Sequence, residues 1–293
     1  ERASVFAIVA LLFLVSGATG LLYEVAFSKV LATIFGATAF AISTVLSAFM
    51  AGLALGAHLG GRVAARIEKP LLAYGIAEVL VGAMAAATPF VFDAISAAYV
   101  AVAAAHPDSL ALLTLARGGL TFVAILIPTS CMGATLPLLS RVVSGTSDTA
   151  PRLSLLYAVN TLGGALGSVL SAYAILPWLG IRGTMRGAAL VNVAIGVLAI
   201  LKGRGLVVGV DAPAKARAPP LERAGRDLLF YAALSGFLVF GAEVVETHLL
   251  TLLIGNSAYA FGLMLAAFLL CLGAGAARSA AIARKYGDGA LAR

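Results

Sequence analysis

The chain has 293 residues, 61% of them hydrophobic and 11% charged, with a mean hydropathy of +1.04 and a formal net charge of +7. That is more apolar surface than a water-soluble domain of this length can enclose, so the composition describes an integral membrane protein. The two cysteines, Cys131 and Cys271, lie in distant apolar segments, and His58, His106 and His248 fall on different ones. This pattern offers neither a disulfide framework nor a set of metal ligands.

Apolar runs of roughly 20 residues, the length that crosses a hydrocarbon core of about 30 Å, recur along the chain. Strand-like alternation is absent, so helices are expected to satisfy the backbone. The reading is an all-α polytopic fold of about eight transmembrane helices, at 5–35, 38–61, 71–95, 109–140, 153–177, 181–201, 228–254 and 257–277. The first run is too long for a signal core and is expected to stay in the membrane. With the N-terminus in the cytoplasm, 16 of the 20 Lys and Arg residues fall on the cytoplasmic side. Arg182 and Arg186 fall outside, and Lys29 and Arg117 fall within spans. The bias follows the positive-inside rule, so the expected setting is a bacterial-type inner membrane. The charge is then topological, and no nucleic-acid partner is expected.

Residues 1–201 read as a six-helix membrane unit. Residues 202–227 carry charge, Pro and Gly between spans six and seven and read as a cytoplasmic linker. Residues 228–282 read as a helical hairpin repeating 10–61, and 283–293 as a tail or the start of a further region. The repeat is visible in the sequence itself. A shift of 219 positions lays "SGATGLLYEVAFSKVLATIFGATAFAISTVLSAFMAGLALGA" on "SGFLVFGAEVVETHLLTLLIGNSAYAFGLMLAAFLLCLGAGA" with 14 of 42 positions identical. Ser16 then matches Ser235, Glu24 matches Glu243, and the mid-hairpin Gly36 matches Gly255. Two hairpins of equal orientation six spans apart describe parallel repeats of a six-helix unit.

Four carboxylates fall inside spans: Glu24, Glu78, Glu243 and Glu246. Each costs roughly 2.5–3.5 kcal/mol at a helix centre on insertion scales, so each is expected to face a cavity or a partner. Glu24 and Glu243 lie at equal depth before the matched glycines, near the midplane, where transporter folds place substrate and coupling ions. Glu243 and Glu246 are spaced i, i+3 on one helix, with His248, the repeat counterpart of Lys29, nearby. Two readings of Glu24 stand side by side. It binds a small cation or a proton in a central cavity with Glu243, Glu246 and His248, or it forms an architectural ion pair, with Arg117 the natural partner and Lys29 the other candidate. Glu78, near the cytoplasmic end of its span, is expected to snorkel toward the basic loop before it.

Gly52, Gly56 and Gly60 are spaced by four, as are Gly163 and Gly167, and this spacing predicts close helix packing, with Asn160 bonding across helices. Pro128 and Pro137 are expected to bend the fourth span. "GGALG" lies inside a span with no strand before it, so it is not a nucleotide loop.

Four stretches, "SGATGLLYEVAFSKVLATIFG", "AISTVLSAFMAGLALGAHLGGRVAARI", "IPTSCMGATLPLLSR" and "LYAVNTLGGALGSVLSAYAILPWLGIRGT", resemble the membrane portion of the fused major facilitator/spermidine synthase family. The loop "GAHLGGRVAARIEKP" is similar to the GxxxD(R/K)xGRR signature of major facilitator proteins, keeping Arg62 and Arg66 but lacking its aspartate. The resemblance implies a major-facilitator-like six-helix unit with the first hairpin of a second. It also implies a polyamine-like solute, and a soluble aminopropyltransferase- or methyltransferase-like domain at the cytoplasmic face. No catalytic motif and no cofactor is expected within this chain. Its function is then to bind or move a small cation or proton. The alternative is a non-transporting membrane anchor or complex subunit that positions such a domain. Eight spans imply closure by an oligomer or a larger complex.

Overall fold

The computed structural model describes residues 2–35, 39–143, 149–206, 208, 223–254 and 257–286. Their regular structure is helical: α1 (Arg2–Phe35), α2 (Ala39–Ala64), α3 (Pro70–Ala105), α4 (Leu110–Val143), α5 (Thr149–Leu170), α6 (Leu176–Gly203), α7 (Arg223–Ile254) and α8 (Ala258–Tyr286), with a π-helical turn, Ser171–Ile175, joining α5 to α6. Seven helical stretches are long and apolar enough to cross a membrane. The chain is a polytopic α-helical membrane protein.

One of those stretches, Pro151–Gly203, has 53 residues. At 1.5 Å per residue it would run about 80 Å, more than twice the hydrocarbon thickness. Gly180 divides it: its φ of 63° and ψ of 178° are accessible to glycine and strained for any other residue. The predicted spans 153–177 and 181–201 meet at this break. α3 runs ten residues past its predicted end at 95, because "AISAAYVAVAAA" contains no helix breaker before the turn at His106 and Pro107. Gly36, Gly255, most of the predicted linker (209–222) and the end of the tail (287–293) lie outside the described residues.

Within the described residues, α1 is helical to Phe35 and α7 to Ile254, while α2 is helical from Ala39 and α8 from Ala258. Glu24 and Glu243 each lie 11 residues before the end of their helix, about 16 Å by the helical rise.

Three helix pairs carry most of the packing: α1 against α5, α2 against α4, and α3 against α6. Exchanging the first three helices for the second three turns the first pair into the second. α4 also lies along α3, and α8 along α5. Glycines set these approaches. A Cβ on Gly56 would overlap the carbonyl of Ser130, and one on Gly52 the hydroxyl of Thr129. Gly60 faces Ala134, and Gly133 of α4 answers from the other side against Leu53. Between α1 and α5, Gly163 lies on Leu14, Gly167 on Ala18, and Gly17 on Asn160. The Asn160 amide donates to the Phe13 carbonyl at 3.0 Å, tying α5 to α1. Backbones at this distance gain dispersion contacts that lipid cannot outcompete. α4 runs through both Pro128 and Pro137 without interruption. The hydroxyls of Thr129 and Ser130 donate to the carbonyls of Ile125 and Leu126, satisfying acceptors beside the proline.

The two ends of the bundle differ in charge. Arg66, Lys69, Lys202 and Arg204 share one end, where the Val208 amide donates to the Glu68 carbonyl at 2.8 Å. At the other end, Arg182 of α6 stands 3.8 Å from Asp93 of α3, both well exposed.

Candidate functional site

Leu22, Tyr23, Glu24, Val25, Ala26 and Phe27 are all buried, so α1 is enclosed on every side over this stretch. A helix buried all round sits at the middle of its bundle. Glu24 is 0% exposed, and among the described residues neither of its carboxylate oxygens has a hydrogen-bond partner. Glu243 of α7 is also buried and stands within electrostatic reach of Glu24. Val25, Leu46, Phe261, Met264 and Leu265 form an apolar cluster here, with Phe240 and Val244 at its edge. The fold therefore carries the carboxylates of the two repeated hairpins into one apolar region shared by α1, α7 and α8.

The other predicted members of this group lie elsewhere. Glu246 is exposed, so the shared face expected of Glu243 and Glu246 is not formed; α7 packs sparsely and buries only a narrow stripe. The ring of His248 bonds to its own helix, Nδ1 lying 2.7 Å from the Val244 carbonyl. Lys29 is exposed and lines a separate cavity of about 110 Å³ with Ser28, Thr33 and Ser257. Arg117 does not pair with Glu24. Its Nη2 donates to the Tyr99 hydroxyl at 2.9 Å and its guanidinium stands 5.6 Å from the centre of that ring. The cause is topological: α4 packs on α2 and α3, and α3 supplies Tyr99.

Glu78 departs furthest from expectation. Instead of snorkelling, it is 1% exposed and held in a polar network deep between helices. Ser16 Oγ of α1 donates to its Oε1 at 2.5 Å, and Asn192 Nδ2 of α6 donates to its Oε2 at 2.6 Å. The Tyr23 hydroxyl donates to Asn192 Oδ1 at 2.9 Å. The Tyr74 hydroxyl stands beside the carboxylate outside hydrogen-bond geometry. Eight residues of helix separate Glu78 from Pro70, about 12 Å of rise, too far for its short side chain to reach the basic loop. A cavity of about 90 Å³ adjoins the network, lined by Ser16, Glu78, Thr135, Asn160 and Asn192 among others.

Tyr23 and Asn192 carry no signal in spacing or repeat, and the match of Ser16 with Ser235 does not point to Glu78. The one available hint is chemical: Asn192 is the sole amide in the apolar stretch "AALVNVAIGVLAIL", where an amide needs a partner. No family model matches the chain, and no curated protein or solved structure matches it.

Proposed function

We propose that this chain is the membrane unit of a spermidine synthase-like fusion protein, with a major-facilitator-like six-helix unit and the first hairpin of a second. In this reading it binds and passes a proton or a small organic cation through its interior. The reading is carried by Glu24, fully buried, without a hydrogen-bond donor among the described residues and in electrostatic reach of Glu243 from the repeated hairpin. An unpartnered carboxylate is costly in an apolar interior. Two buried carboxylates in one such region either share a proton or hold a cation between them. The mirrored packing of α1 on α5 and α2 on α4, and the place of α8 along α5, support the two-unit architecture. The most apolar window of α7 is 6% buried, leaving its face open to lipid or to further helices that would close the pathway. The polyamine-like solute rests on the family resemblance. The charged end bearing Arg66, Lys69, Lys202 and Arg204 supports a cytoplasmic face there.

Purified chain in liposomes, under an imposed pH gradient, is expected to take up protons or a radiolabelled polyamine. Glu24→Gln and Glu243→Gln, judged folded by monodisperse elution, are expected to abolish that uptake. A folded parent that moves neither would reject transport and leave the membrane anchor for a soluble enzyme domain.

A further inference from the structure

We propose that Glu78 and its surroundings form a separate binding site for a small monovalent cation of the sodium or potassium class, with a proton competing for the same carboxylate. Hydrogen-bond direction carries the inference. The Tyr23 hydroxyl donates to Asn192 Oδ1, which turns the amide so that its NH₂ donates to Glu78 Oε2, while Ser16 donates to Oε1. Turning the amide over would set its carbonyl against Glu78 and its NH₂ against Tyr23, whose own proton would lose its acceptor. Both carboxylate oxygens thus receive donors, the arrangement suited to the ionised group.

Two further polar residues of the lining direct their protons elsewhere. Thr135 Oγ1 donates to the Met132 carbonyl at 2.6 Å, and the Asn160 NH₂ donates to the Phe13 carbonyl. The cavity of about 90 Å³ has Ser16, Glu78, Thr135, Asn160 and Asn192 as its polar lining, side chains whose oxygens can accept, and is otherwise apolar, with Phe49, Leu53, Val81 and Met132. That volume holds several water-sized centres, each needing roughly 10–15 Å³. It is room for a partly hydrated ion. The titratable groups facing Glu78 are Tyr23 from α1 and Tyr74 from its own helix, while α6 supplies Asn192 and α4 supplies Thr135. None of these carries positive charge, so a bound cation supplies the balance. Oxygen donors with a single carboxylate suit a monovalent ion better than magnesium or calcium, which draw on more charge or a dedicated cage.

The site does not depend on transport and is tested without it. Thermal unfolding of the purified full chain is followed against NaCl, KCl and choline chloride at equal ionic strength. The expected result is a saturable rise in Tm with sodium or potassium but not choline, weakening as pH falls. The rise is lost in Glu78→Gln and kept in Glu246→Gln, an exposed carboxylate of α7. Thr135→Val, which removes one acceptor while keeping shape, should weaken the apparent affinity roughly tenfold, the order of one interaction with a charged group. Equal responses to all three salts, or an unchanged response in Glu78→Gln, would overturn the assignment. If Glu78→Gln does not fold, parent-like affinity in Thr135→Val is the overturning result.

Discussion

Glu24 and Glu78 are both glutamates in apolar helices, and the structure gives them opposite surroundings. Glu78 receives two hydrogen bonds, whereas Glu24 receives none among the described residues. An unpaired buried polar group typically costs about 1–3 kcal/mol. Glu24→Met, which keeps length and removes the polar atoms, is therefore expected to raise Tm in detergent while abolishing any ion coupling. Such an exchange of stability for activity is the mark of a functional group. A fall in Tm would show that Glu24 holds the bundle together. The sequence marks both residues as anomalies but cannot separate them. Partners such as Ser16 and Asn192 are 62 and 114 positions away from Glu78. Arg117 illustrates the same limit: depth along the chain matches Glu24, yet side-by-side placement depends on which helices touch.

At the level of helices, periodicity and small residues were the informative signals. The fours-spaced glycines of α2 and α5 face α4 and α1, and their partners answer with Gly133 and Gly17. Gly56 is the sharpest case, because the obstructing atoms belong to the Ser130 backbone and cannot rotate away. Gly56→Val is expected to lower Tm markedly, by the roughly 1–3 kcal/mol typical of overpacking or more. Gly61→Ala, with nothing within 4 Å of the added carbon, should leave it unchanged. Equal Tm losses in both variants would show that helix approach is not the cause. Hydropathy could not place the end of α3, since alanine suits helix as well inside the membrane as beyond it.

For the whole molecule, alternating turns fix which loops share a side, and the charge bias selects the side. In right-side-out vesicles, a cysteine at Asp108 is expected to react with a membrane-impermeant maleimide, and one at Glu68 only after permeabilisation. Both positions are exposed turn residues at opposite ends of α3. The reverse pattern would invert the assigned orientation. Membrane residence, helical content and the approximate spans were fixed by composition and local pattern, because the bilayer imposes length and backbone pairing on any chain that crosses it. Only the tertiary structure decided that Glu243 is buried within electrostatic reach of Glu24 while Glu246 is exposed, that Arg117 goes to Tyr99, and that Glu78 closes a network with Ser16, Asn192 and Tyr23. Those outcomes depend on which helix faces are brought into contact, a property of the packed bundle that no single span encodes.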